Sequence, residues 1–513
     1  MPVQTLPFHS LISVDKTSST PVYQQVANAL VKLIIDATIK PGYGLPASRV
    51  LAEMMNLNRT TIVAAYDELR IQDWIEVIPR KGIYVSRHLP VIKPQSFEQD
   101  VAVSPGKTIP PVFYRTLTAE SPGQSDERPY DLVIDDGYPD RRLAPLPILL
   151  SKYRSLFSKS HVNNLLLTSS AAGSVNLRNE LAMFLSKTRG INADMEQIVV
   201  TKGAQVAIYL VGQMIIKPGS TVIVGDLNYN LANEVFTQAG AELITVKVDE
   251  QGMDIDEVER ICRTKKPDLL YIIPHHHHPT TVTLSADRRM KLLHIIELYQ
   301  LPVIEDDYDY DFHYDNRPIL PLASADHKGL VLYIGSITKT LAASVKMGYV
   351  VAGKGFIWQL TQLKKIMEIR GDILMEEAVA SLYSSGEMQR HITRSVKLYK
   401  TKRDLFCYLL TKELGEMVKF TKPLGGMAIW ITFDNHYELS ELSRKLRVNG
   451  IYLNDGSRYD PPGKKLNSLR IGFASINEKE IRTLIEALRR LKNPSSTTAP
   501  SHPVALKINE AAM

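Results

Sequence analysis

Five short apolar runs, separated by stretches with helical periodicity, constrain this chain more than any other feature. They are Ile198-Val199-Val200-Thr201, Thr221-Val222-Ile223-Val224, Leu269-Leu270-Tyr271-Ile272-Ile273, Pro302-Val303-Ile304 and Leu330-Val331-Leu332-Tyr333-Ile334. Runs that are apolar throughout suit strands covered on both faces, and alternation with helices joins such strands in parallel. The sequence therefore predicts an α/β unit around a mostly parallel sheet. In such sheets ligands bind beyond the carboxyl ends of the strands, so chemistry is expected there.

Four strand ends carry polar residues that complement one another. Lys202-Gly203-Ala204-Gln205 follows the first run and opens a helix, where backbone N–H groups and the helix dipole suit a phosphate. Asp226-Leu227-Asn228-Tyr229 follows the second and offers an aromatic ring. Glu305-Asp306-Asp307-Tyr308 follows the fourth with carboxylates and a phenol, and Gly335-Ser336-Ile337-Thr338-Lys339 follows the fifth with hydroxyls beside a lysine. Singly, each is compatible with a solvated turn, a surface lysine or a core tyrosine. Together, a phosphate cradle, a carboxylate for a pyridine nitrogen, a stacking ring and a Schiff-base lysine are what pyridoxal 5'-phosphate requires.

The remaining chain divides around this block. From His88 to Pro129 seven of 42 residues are proline and no apolar period persists, the pattern of an extended linker. Residues 492–513 are rich in Pro, Ser and Thr and are expected to be a disordered tail. The expected order is an N-terminal tail (1–14), a small domain (15–87), the linker (88–129), the large domain (130–491) and the tail. With 44% hydrophobic and 23% charged residues, a wholly disordered or coiled-coil chain is excluded. The net charge of +6 permits nucleic acid without demanding it. Two cysteines, Cys262 and Cys407, cannot make a disulfide framework, and no signal segment is evident, so the cytoplasm is the expected compartment. The longest nearly apolar stretch, Ala207 to Ile216, is too short to span a membrane, and none is expected.

In the small domain, Thr20-Pro21 starts a helix with Val26, Leu30, Leu33 and Ile34 on one face, running until Pro41-Gly42. A second helix covers Ser48 to Met55 with Val50, Leu51 and Met54 inward, with Ser48 a candidate cap. After the turn Asn56-Leu57-Asn58, a third helix capped by Asn58 runs from Arg59 to Leu69, burying Ile62, Ala65, Tyr66 and Leu69. Two short strands around Arg80-Lys81-Gly82 follow. Helix, turn, helix and a basic hairpin describe a winged helix-turn-helix, and the alternative is a small helical dimerisation domain. The strings Pro41–Ala52, Asn-Arg-Thr-Thr-Ile (Asn58–Ile62) and Ala-Tyr-Asp-Glu-Leu (Ala65–Leu69) resemble the winged helix-turn-helix of GntR-family transcription regulators. The resemblance implies that Arg49, Arg59, Thr60, Arg80 and Lys81 face double-stranded DNA. Residues 1–90 hold nine Lys and Arg against seven Asp and Glu, so one copy would bind weakly and a homodimer is implied.

From Gly137-Tyr138-Pro139-Asp140 through Gly203-Ala204-Gln205 and Glu305–Tyr308 to Leu469-Arg470-Ile471-Gly472-Phe473-Ala474, the large block resembles a fold-type I aminotransferase, and the whole chain resembles the MocR subfamily of GntR regulators. By that resemblance Lys339 would hold pyridoxal phosphate as a Schiff base and Asp306 would pair with its ring nitrogen. Tyr308 would bond the ring's phenolic oxygen, and Tyr229 would stack on its face. Gly203, Ala204, Gln205, Ser336 and Thr338 would hold the phosphate, with Lys346 where the family usually has arginine. Arg470 would grip an effector carboxylate. His275-His276-His277-His278 invites a metal site, but consecutive histidines seldom converge on one ion and no metal is expected. In the family this loop lies against the cofactor, which places His278 near the ring, with Thr281 where a glycine is usual. The expected function is a transcription regulator sensing an amino acid or amine through the cofactor. The rivals are a working aminotransferase with a vestigial DNA-binding module and a DNA-binding dimer that has lost its cofactor.

Overall fold

The computed structural model describes residues 6–15, 18, 20–79, 81–87, 89, 130–157, 167, 170–314, 319–461 and 463–492. The chain forms two compact units, Met1–Thr118 and Ala119–Met513. The proline-rich linker, apart from Leu89, and the tail beyond Lys492 lie outside the described residues, as does Arg80.

The first unit holds α1 (Phe8–Leu11), α2 (Val22–Ile35), α3 (Ser48–Met55) and α4 (Arg59–Ile71) with a three-stranded sheet of β1 (Gly44–Leu45), β2 (Ile75–Ile78) and β3 (Gly82–Val85). The hairpin pairs Ile78 with Gly82, and β1 adds Gly44 opposite Tyr84. Asn56 turns the chain between α3 and α4 at a left-handed φ of 51°. Ile62, Ala65, Tyr66 and Leu69 are all buried on α4, as its periodicity predicts.

Four details depart from the sequence expectation. Part of the stretch assigned to a tail is folded: Phe8 and Ile12, four apart, are buried in the core of the unit, because an apolar pair one helical turn apart can cover it. α2 ends at Ile35, well before Pro41, and Ala37 adopts a φ of 57°. Val50 points outward at 46% exposure, and Ala52 is buried beside Leu51 in its place. Neither Asn58 nor Ser48 caps with its side chain: Asn58 stands at the N-cap of α4 without a side-chain bond, and Ala47 holds the N-cap of α3.

The second unit is built on a seven-stranded sheet of β5 (Ile198–Thr201), β6 (Thr221–Gly225), β7 (Glu242–Val246), β10 (Leu269–Ile272), β11 (Val303–Asp307), β12 (Val331–Ser336) and β13 (Gly348–Val351), in the order β5-β13-β12-β11-β10-β6-β7. β4 (Leu132–Val133) pairs with β16 (Ile451–Tyr452), and β8 (Val248–Asp249) with β9 (Gly252–Met253). Only β13 opposes its neighbours, so six strands end at one edge. All five predicted runs are strands. The two additions are β7, a half-exposed edge strand, and β13, whose first residue is a glycine. Beyond the sheet, β14 (Val418–Phe420), β15 (Ala428–Phe433) and β17 (Ser468–Gly472) form an antiparallel sheet over a second core that includes Phe406, Phe433 and Phe473. β17 pairs Arg470 with Trp430. Among the described residues no helix is long and apolar enough to cross a membrane.

Candidate functional site

The helix Ala204–Ile215 begins directly after β5, with Gly203 at its N-cap and a φ of 87°. A side chain on Gly203 would meet Thr338 Oγ1 at 3.8 Å, so the hydroxyl beyond β12 faces this helix start. Thr338 is fixed there by Met347, whose N–H donates to Oγ1 at 3.0 Å. Gly348 permits the approach, since a Cβ on it would lie 2.8 Å from Ala204 N. Gln205 Nε2 donates to Leu231 O at 3.3 Å, while its Oε1 is buried without a hydrogen-bond partner. Ser336 closes β12, half-buried, and Lys346 is exposed on the following turn. Of the residues named for the phosphate, the structure brings Gly203, Ala204 and Thr338 together.

The three consecutive carboxylates of β11 go to three different places. Glu305 accepts from the N–H groups of Leu322 and Ala323 at 2.7 and 2.8 Å. Asp307 accepts from Tyr333 OH at 2.9 Å and stands 3.2 Å from His275 Nδ1. Asp306 accepts from Tyr271 OH at 2.7 Å, and its second oxygen, Oδ1, is buried with no partner. Burial pushes the Asp306 carboxyl up to about 7, against the lowering effect of the Tyr271 bond. A buried carboxylate with an unsatisfied oxygen is costly, and a cation donating a hydrogen bond relieves that cost. A protonated pyridine nitrogen is such a group, and the residues present fit the cofactor they imply.

Lys339 lies three residues beyond the end of β12. Its Nζ donates to Gly137 O at 2.9 Å and sits 4.1 Å from the Tyr138 ring and 5.9 Å from the Tyr308 ring. Burial lowers its pKa, partly offset by the nearby Asp136 charge, which enriches the neutral, nucleophilic amine. Tyr308 OH donates to His276 O at 2.8 Å and accepts from Arg470 Nη2 at 3.0 Å. Arg470, 3% exposed, also donates to Asp136 O at 2.8 Å and to Pro279 O at 3.2 Å. Its partners among the described residues are two carbonyls and a phenol, with no carboxylate bonded to the buried guanidinium.

The histidine run disperses. His275 Nε2 lies 2.7 Å from Ile319 O, His276 Nδ1 lies 2.8 Å from Asp309, and His277 Nδ1 lies 2.9 Å from Thr280 Oγ1. His278 packs edge-on against Tyr229 with ring centroids 5.4 Å apart, so both rings border one space. Burial lowers the His278 pKa to about 4, leaving a neutral ring near neutral pH. Among the described residues no group of three His, Cys, Asp or Glu could hold a metal ion. Thr281, in place of the usual glycine, takes a φ of 62°, a conformation that disfavours β-branched residues.

Sequence reasoning assigned no role to Tyr271, Asp136 or Arg458. Tyr271 was legible in principle, because a phenol inside a fully buried strand needs a partner. Asp136 holds Arg458 at 2.8 Å and stands 3.8 Å from His278. Although burial pushes its carboxyl up, His278 and Arg458 outweigh that and hold it below the usual range. That pair joins residues 322 positions apart and leaves no local signature.

In the first unit Arg49, Arg59, Thr60 and Lys81 are all exposed. Arg59 and Thr60 occupy the first turn of α4, Arg49 the first turn of α3, and Lys81 the turn between β2 and β3. Tyr84 OH donates to Lys81 O at 3.1 Å and braces that turn.

Residues 155–488 match the aminotransferase class I and II family, and residues 22–85 match the gntR family of bacterial regulatory proteins. The HTH-type transcriptional regulator YdfD of Bacillus subtilis, described as uncharacterized, is 27% identical over 91% of this chain and 95% of its own. The probable rhizopine catabolism regulatory protein MocR of Rhizobium meliloti is 24% identical over 93% of this chain and 96% of its own. Among solved structures, a kynurenine aminotransferase of Pyrococcus horikoshii in complex with PMP shares 25% identity at a TM-score of 0.66, covering 72% of this chain and 93% of that one.

Proposed function

We propose, from the premise that the chain belongs to the aminotransferase class I and II family and carries a GntR-family DNA-binding unit ahead of it, that this protein is a transcription regulator which senses an amino acid or amine through pyridoxal phosphate held on Lys339. The observation that supports the sensing role is that Asp306, whose buried Oδ1 has no partner, lies two residues before Tyr308, whose hydroxyl accepts from the Arg470 guanidinium at 3.0 Å and whose ring is 5.9 Å from the Lys339 amine. Bound there, pyridoxal phosphate supplies an aldehyde that condenses with primary amines and an electron-withdrawing ring. The chain's own residues do the rest. Asp306 would hold the ring nitrogen, Gly203, Ala204 and Thr338 would hold the phosphate, and Tyr229 and His278 would flank the ring. Tyr308 and Arg470, bonded at 3.0 Å, would orient the effector, and Gly137 O and the Tyr138 ring hold the Lys339 amine.

The protein acts as a homodimer, since paired half-sites multiply the weak affinity of one module of net charge +2, and it works in the cytoplasm, where DNA and reduced cysteines belong. A second function has support in the same residues: Lys339, Asp306, Tyr308 and Arg470 are also the set a transaminase needs. The deciding experiment follows the visible absorbance and the DNA affinity of the full-length protein during titration with amino acids and amines. Parallel changes support sensing, and steady conversion of the same ligand with a keto acid supports the enzyme.

A further inference from the structure

Helix α4 buries Ile62, Ala65, Tyr66 and Leu69 and exposes Arg59, Thr60, Val63, Asp67 and Arg70, with Ile71 exposed at its last position. The exposed side is graded along its length. Its far end carries Asp67 and Arg70, paired with each other at 3.2 Å, so an acidic group sits there and its arginine is engaged. Its near end carries Arg59 and Thr60, both exposed and without a side-chain bond to another described residue. Between the two stands Val63, 39% exposed, three and four residues from Thr60 and Arg59 and therefore on their face.

Val63 stands between Arg59 and Thr60 on one side and Asp67 and Arg70 on the other with part of its side chain in solvent, and as a β-branched residue it is not favoured there by helix propensity. Facing the major groove it has one chemical match. Of the four bases only thymine presents a methyl group there, and apolar side chains read it. We infer that Val63 is a specificity-determining residue that packs on a thymine methyl in the same half-site as the base or phosphate met by Arg59. The inference rests on the DNA-binding role proposed for this unit and deepens it by naming a base. Four residues of α-helix rise about 6 Å and successive bases about 3.4 Å, so the thymine lies about two base pairs from the Arg59 contact.

The test starts from duplexes selected out of a random pool by the full-length protein. Each thymine of the selected site is then replaced singly by deoxyuridine, which keeps the pairing edge and removes only the methyl. Removing one buried methyl contact is expected to weaken binding about fourfold at one position in each half-site. Val63→Ala should lose about the same factor on the thymine duplex and be indifferent to deoxyuridine there, while Val63→Thr, which keeps one γ-methyl, should retain part of the sensitivity. Because Val63 is exposed, Val63→Ala should keep wild-type circular dichroism. Uniform tolerance of deoxyuridine by the wild type, or unchanged sensitivity in Val63→Ala, would overturn the inference while leaving DNA binding intact. A pool that yields no enriched sequence would overturn the DNA-binding role itself, and the inference with it.

Discussion

In the second unit Asp306 and Arg470 are buried and hydrogen-bonded, whereas in the first Arg59, Thr60 and Lys81 stand in solvent, their side chains without a bond to another described residue. Arg470 is 3% exposed with three oxygen partners, while Arg59 is exposed with none. The difference follows from what each must meet. A small ligand is surrounded, so its site must be preorganised and desolvated, and each group there acts on the others through a low dielectric. A duplex is a large surface met from one side, so its contacts are exposed and nearly additive. Single substitutions should therefore act collectively in the second unit and locally in the first.

The largest effect expected is that of Lys339→Ala. It removes the amine that would hold the cofactor covalently, so the visible band of the bound cofactor and every effector response should vanish, while basal DNA affinity persists. Coupled loss of basal DNA binding would break the separation between the units. Next comes Arg470→Leu, which strips Tyr308 OH and two carbonyls of a donor and removes the charge opposite a carboxylate. About 3–5 kcal/mol of affinity for an amino acid effector should go, read by absorbance titration, while simple amines still bind. A carboxylate effector that keeps its affinity would place the carboxylate elsewhere.

Asp306 gives a pH signature that the exposed residues have no means to give. Its folded carboxyl titrates near 7 rather than in the ordinary carboxylate range because it is buried. Between about pH 4 and 7 the unfolded chain has released this proton and the folded chain has not, so cofactor-free protein should lose stability as pH rises through that window and level off above it. Glu305, pushed up to about 8, and Glu376, to about 7, add slope of the same sign, so the measurement is the difference between wild type and Asp306→Asn in urea unfolding across that range. A contribution of up to about 4 kcal/mol is expected. Identical pH profiles would mean that Asp306 is ionised and paired in the empty site.

The contrast also explains what could be read from the chain. The five central strands were legible because runs such as Leu269–Ile273 are apolar throughout, and the helix-turn-helix because Ile62, Ala65, Tyr66 and Leu69 keep a helical period. The candidate cofactor residues could be named because strand ends and a helix start deliver them locally. Contacts between distant segments were not: Asp136 meets Arg458, and Lys339 meets Gly137, only after the C-terminal sheet has closed over the strands. Val50 misled because on a short helix one methyl-rich position looks like another, and Ala52 filled the core instead. Lys346 was placed at the phosphate by resemblance alone, and in the structure it is exposed.

In the first unit, Arg59→Ala should cost about 1–3 kcal/mol of DNA affinity on the selected sequence and leave the cofactor absorbance untouched. The loss should shrink on duplexes altered at the contacted base, because the arginine discriminates as well as attracts. Equal loss on all sequences would reassign Arg59 to a phosphate.

The smallest effect expected is that of Lys81→Ala, and its form matters more than its size. Lys81 projects from the hairpin turn, whose geometry is fixed by the Ile78–Gly82 pairing and the Tyr84 hydroxyl, not by the lysine side chain, so truncation should leave the wing folded. An exposed ammonium that meets a phosphate releases about one counterion, which appears as a slope of log affinity against log salt, not as a preference among bases. Lys81→Ala should therefore weaken binding uniformly across sequences and reduce the salt slope by about 0.9 for each wing engaged, or about 1.8 for a dimer. At high salt, where the charge is screened, wild type and variant should converge. A change in sequence preference instead would mean that the wing enters a groove and reads bases, and the division between an attracting wing and a reading helix would fail.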